Sequence, residues 1–187
     1  MQNVIDFILE IEKLKAVTRK TRPIAASDRY ENPAEHSWQI ALLAASMAQF
    51  AAQPVNPDTV ILMLLLHDLG EIDTGDTMAF VEGGWDERKA AERVAVTRMF
   101  GRLDEPQRSR FMALWDEFDR DDTPEAHFAH AMDRAMPVLL NLANNGQSWR
   151  ENGITRERVV RRVKTEIETG CPKLWEYIER RLDDFEW

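Results

Sequence analysis

The sequence predicts an all-α fold, a single helical domain over residues 1–187, and three observations carry that expectation. Apolar residues recur at helical spacing in most segments, and no segment alternates as a strand would. Asn32-Pro33, Asn56-Pro57 and Asp121-Asp122-Thr123-Pro124-Glu125 are helix start signals, pairing cap-forming residues with a proline suited to the first turn. The 187 residues suffice for one domain with a sizeable core and show no repeat, low-complexity segment or linker.

Residues 2–17 read as a helix with the apolar stripe Ile5, Leu9, Ile11 and Leu14. The basic residues Lys15, Arg19, Lys20 and Arg22 follow, then Pro23 and a loop through Tyr30. Asn32-Pro33-Ala34-Glu35 is a capping box opening a helix to about Ala52. Its stripe is His36, Ile40, Leu43, Met47 and Phe50, so His36 belongs to a core-facing row.

Seven apolar residues at 60–66 suggest a helix buried on every side, and His67, Asp68 and Glu71 sit at its C-terminal end. Glu71 comes four residues after His67 and three after Asp68, a spacing that puts all three on one helical face. Gly70 loosens or ends the helix, and Asp73 and Asp76 come next. Residues 77–84 read as an ordinary connection, with a flap over a site as the alternative. Residues 85–103 and 105–119 form two charged, amphipathic helices.

A helix from Pro124 to about Asn144 carries the stripe Ala129, Asp133, Met136, Leu140 and Ala143, with a carboxylate in the middle of an apolar face. Pro137 lacks the amide that would bond the Asp133 carbonyl, so a kink is expected there. Asn144-Asn145-Gly146 ends this helix, and helices at about 155–169 and 172–184 complete the chain.

Acidic residues outnumber basic ones, 33 to 24, for a net charge of -9. That balance argues against nucleic-acid polymers and anionic membranes as partners, while leaving room for a local basic pocket. The N-terminus carries Asp6 and Glu10, unlike a signal peptide, and no apolar run is long enough to span a bilayer. The single Cys171 has no internal disulfide partner, so a cytoplasmic setting is expected. No histidine lies near it in sequence to make it a nucleophile.

His127 and His130 fall on the polar side shared with Arg134, off the Asp133 stripe, and read as surface residues. His36, His67, Asp68 and Asp133 fall on buried faces. Two imidazoles and two carboxylates from three helices make a nitrogen/oxygen set suited to one divalent transition metal ion, Mn, Co, Fe, Ni or Zn.

Glu35-His36-Ser37-Trp38, His67-Asp68-Leu69-Gly70-Glu71, Gly75-Asp76 and Pro124-Glu125-Ala126 leading to Asp133 resemble the HD superfamily of metal-dependent phosphohydrolases, in the branch containing the 5'-deoxynucleotidases. Leu14-Lys15-Ala16-Val17-Thr18-Arg19 resembles that branch's N-terminal signature. The resemblance spans roughly residues 10–145. It implies a metal held by His36, His67, Asp68 and Asp133, Glu71 and Asp76 working beside it, and Arg19 contacting phosphate. Nucleotidases of this branch usually carry a tryptophan just after the arginine; here Lys20 stands there. The two-metal, oxygen-activating relatives need further histidines, and His127 and His130 lie too close to Asp133 to serve, so one metal is expected.

The reaction so implied is hydrolysis of a phosphomonoester, most plausibly a nucleoside 5'-monophosphate. Glu71 would orient or deprotonate water, Asp76 would support it or protonate the leaving oxygen, and Arg19 with Lys15 or Lys20 would clamp the phosphate. The rival reading is a non-catalytic metal- or nucleotide-binding regulator or assembly module. Six tryptophans, among them Trp149, Trp175 and Trp187, suit either a homodimer interface or the core.

Overall fold

The computed structural model describes residues 1–77 and 83–187, and among them every regular element is helical. Helix α1 spans Gln2–Ile11 and tightens into a 3₁₀ turn at Glu12–Ala16. A loop with a second 3₁₀ turn at Ile24–Ala26 leads to α2, Pro33–Met47, which ends in a third at Ala48–Phe50. Then come α3 (Pro57–Leu66), α4 (Glu71–Thr74), α5 (Trp85–Phe100) and α6 (Gln107–Arg120). The chain closes with α7 (Pro124–Ala143), α8 (Gln147–Glu151), α9 (Arg156–Gly170) and α10 (Pro172–Asp183). No described helix is long and apolar enough to cross a membrane.

The start signals act as expected. Asn32 and Glu35 close a reciprocal capping box, Asn56 accepts from the amides of Asp58 and Thr59, and Thr123 accepts from that of Ala126. The central helix is α7, which packs against α2, α3, α6, α9 and α10. Its buried alanines, Ala126, Ala129, Ala131 and Ala135, let those neighbours approach closely. The approach is tightest at Gly170 of α9, where an added Cβ would stand 2.1 Å from the carbonyl oxygen of His127. Helix α7 runs through Pro137, whose carbonyl accepts from Nδ2 of Asn141.

Three sequence expectations change. The N-terminal helix buries Phe7 and Leu14, whereas Ile5 and Leu9 are exposed, because only one edge of this short helix meets the body of the protein. Helix α3 is not enclosed on every side: Leu65 is 42% exposed, and its buried face is Val60, Met63, Leu64 and Leu66. Helix α8 lacks a signal of its own, being only five residues long. Residues 78–82 of the expected connection or flap lie outside the described residues.

Candidate metal centre

Three helices bring the candidate ligands together. His36 enters from the first turns of α2, Asp133 from the middle of α7, and His67 and Asp68 from the end of α3. Helix α3 ends at Leu66, and the chain then turns tightly, with Leu69 N–H on Leu66 O (3.2 Å) and Glu71 N–H on Asp68 O (3.0 Å). This turn sets His67, Asp68 and Glu71 beside one cavity. Gly70 permits it: a Cβ there would come within 2.8 Å of Cβ of Glu92 on α5.

His36, His67 and Asp133 are buried, and one ligand atom from each lies within 4.8 Å of the others, a group able to hold a metal ion. His36 Nε2 is 3.0 Å from Asp133 Oδ1. His67 Nδ1 donates to the carbonyl of Leu64 at 2.8 Å, which turns Nε2 toward the acids, 3.0 Å from Asp68 Oδ1 and 3.9 Å from Asp133 Oδ1. Asp68 stands outside the tight group of three and touches it through His67.

The donor set fits a divalent cation on physical grounds. Among the described residues buried Glu71 Oε2 has no hydrogen-bond partner, and buried His67 Nε2 has only its close charge contact with Asp68. Burial disfavours a proton on His67, yet Asp68 and Asp133 outweigh it and raise its pKa. Burial also works against charge on Asp68 and Asp133. His67 and the other cations nevertheless hold Asp68 down to about 2, and Arg134 with the two imidazoles holds Asp133 well below the usual carboxylate range. Charged carboxylates facing an imidazole nitrogen held by a backbone carbonyl on its far side form a divalent-cation site.

Glu71 and Asp76 line the same cavity, of about 230 Å³, together with Arg19, Lys20, His67, Asp68 and Asp133. Burial, then Asp68 and Asp76, push Glu71 up to about 10; burial likewise pushes Asp76 to about 6 despite Arg19. Arg19, the expected phosphate contact, reaches Glu31 (3.1 Å), Asp68 (3.2 Å) and Asp76 (3.5 Å). Lys15 does not join them. It is largely exposed, pairs with Glu12 at 3.4 Å and lies outside the cavity, because the 3₁₀ turn directs it away; Lys20 lies at the wall instead.

Two residues escape a sequence reading. Glu31 is 2% exposed, binds Arg19 and lies 3.7 Å from His36 Nδ1. Burial outweighs the Arg19 contact and pushes its pKa to about 7. As a loop residue it has no periodicity to mark it. His130 is not a surface residue: it lines the cavity, stacks on Phe118 with ring centroids 4.0 Å apart, and its Nε2 donates to the Phe118 carbonyl at 2.8 Å. Its periodicity placed it on the polar side of α7, but α6 covers that side. His127 remains partly exposed.

The HD domain model matches residues 11–175, most of the chain and all the residues just described. The chain belongs to the HD domain family. This HD domain protein resembles a "predicted metal-dependent phosphohydrolase" from Magnetospirillum magnetotacticum, with 38% identity, a TM-score of 0.89 and coverage of 98% of this chain and 93% of that one. It is also 25% identical over 139 residues to the 5'-deoxynucleotidase HDDC2 of Danio rerio, covering 74% of this chain and 68% of that protein. A 5'-deoxynucleotidase of Erwinia tasmaniensis is 31% identical over 129 residues, 64% of either chain.

Proposed function

We propose that this HD domain protein is a metal-dependent phosphohydrolase that cleaves a phosphomonoester, a (deoxy)nucleoside 5'-monophosphate. One observation carries the reading: a buried cluster of His36, His67 and Asp133, with Asp68 beside it, opens onto a cavity that also holds two protonatable carboxylates and several cationic side chains. The names of its relatives point the same way.

In this proposal His36, His67, Asp68 and Asp133 hold one divalent transition ion. When bound, that ion supplies a Lewis acid that lowers the pKa of water and offsets phosphoryl charge. Glu71 takes the proton of the attacking water at Oε2, the buried oxygen left without a partner. Burial first, and then Asp68 and Asp76, hold a proton on Glu71, and the charge of a divalent ion at the site would favour its release. Asp76 delivers a proton to the leaving oxygen; a pKa near 6 keeps that proton available close to neutrality. Arg19 keeps Asp68, Asp76 and Glu31 in register and turns a guanidinium edge to the phosphate.

A non-catalytic binding protein has no need of a general base in the cavity, which disfavours the regulator reading. A cytoplasmic setting, small phosphorylated substrates and a homodimer belong to the same proposal, with Trp187, 46% exposed, available to an interface; Trp149 and Trp175 are core. The test is a panel of nucleoside monophosphates and other phosphate esters against protein reconstituted with Mn, Co or Ni. Turnover of at least one ester, abolished by a chelator, is expected. No turnover of any ester with any of these metals overturns the reading.

A further inference from the structure

We propose that Arg134 of α7 and Arg162 of α9 form an anion-binding pair that holds the substrate's phosphate group. This rests on the phosphohydrolase reading above and adds to it the residues that recognise the anion.

Both arginines line the cavity that His67, Asp68 and Asp133 open onto. Arg134 is tied to the metal centre directly: its Nη1 lies 3.1 Å from Asp133 Oδ2. Its Nε is buried and has no hydrogen-bond partner among the described residues, which leaves one edge of its planar fork open to a ligand. Arg162 is held by Glu166, with Nη1 3.1 Å from Glu166 Oε1 one turn along α9, and its guanidinium lies 6.0 Å from the ring centre of Trp85, another wall of the cavity.

Two guanidiniums turned to one partly buried cavity repel each other. Burial lowers the proton affinity of Arg162, and the charge of Arg134 lowers it further. The backbones cannot part to relieve this, because Gly170 seats α9 directly against His127 and Ala131 of α7. An anion between the forks removes the repulsion and fills the open edge, and a tetrahedral phosphate offers the oxygens that such forks bind in pairs. Arg19 at the other wall is already shared among three carboxylates, so it has less charge to give a phosphate than the α7–α9 pair does.

The test is calorimetric titration of inorganic phosphate into Mn-loaded wild type, Arg162→Gln and Arg162→Lys, with metal content measured for each. Arg162 pairs with Glu166 and is not among His36, His67, Asp68 and Asp133, so the expected metal content is unchanged. Phosphate affinity should fall at least tenfold in Arg162→Gln and by less in Arg162→Lys, which keeps the charge but loses the fork. Phosphate should also raise the melting temperature of the wild type and not that of Arg162→Gln. If Arg162→Gln does not fold, Arg162→Lys must still show a reduced affinity. Wild-type affinity in the folded variants, or no phosphate binding by the wild type, overturns the proposal. Binding is read without turnover. A wild type that binds phosphate through Arg162 yet cleaves no ester would end the hydrolase reading alone, and ester cleavage with unaltered phosphate binding in both variants would end this one alone.

Discussion

Glu71 is the residue whose assigned role can be separated most cleanly from its neighbours'. It lines the cavity but lies outside the group of His36, His67 and Asp133. Glu71→Gln keeps shape and hydrogen bonding while removing the base, so it should retain metal and lose kcat by roughly a hundredfold or more. Loss of metal in that variant would make Glu71 a ligand instead. Arg19→Lys should cleave esters more slowly than the wild type and faster than Arg19→Ala, because the ammonium keeps a charge among Glu31, Asp68 and Asp76 but not the fork. Equal rates in all three proteins would remove Arg19 from the site. His130 gives a pH effect of known sign. Burial lowers its folded pKa below that of an exposed imidazole, against the pull of Asp121. Below about pH 6.5 the unfolded chain therefore binds more protons, and stability is lost as pH falls through that range. In metal-free protein, urea unfolding at pH 7.5 and pH 5 should show a smaller acid loss for His130→Gln, and an identical loss would show that His130 does not contribute.

Helices α7 and α9 form the most extensive helix–helix packing among the described elements. Gly170→Ala would drive a methyl group against the His127 carbonyl and Ala131, and overpacking of this kind costs at least about 1–3 kcal/mol. Chemical denaturation should show that loss, and unchanged stability would mean that α9 shifts freely along α7. Much of this was legible beforehand. Caps and first-turn prolines mark the starts of α2, α3 and α7, and the 3.6-residue stripes put His36 and Asp133 on buried faces. What was not legible depends on neighbours. Periodicity reports which face of a helix is apolar, not which faces are covered, so it hid α6 lying over His130 and solvent reaching Leu65. Glu31 sits in a loop, where burial leaves no pattern in the sequence, and Lys15 sits in a 3₁₀ turn whose different pitch turns it away from Arg19.

For the molecule as a whole, the net charge of -9 and the basic cavity wall work in opposite directions. The net acidic charge is expected to disfavour polyanions, and in the proposal Lys20, Arg134 and Arg162 inside admit a small one. Carboxylates and imidazoles from three helices meet at the site as a group able to hold a cation. Binding to the folded state alone should therefore raise the melting temperature by mass action, and a chelator should lower it again. The most direct measurement is elemental analysis of the wild type beside His67→Ala and Asp133→Ala, each confirmed helical by circular dichroism. One divalent transition ion per wild-type chain and none in either variant is the result expected. Full metal occupancy in both variants would contradict the centre described.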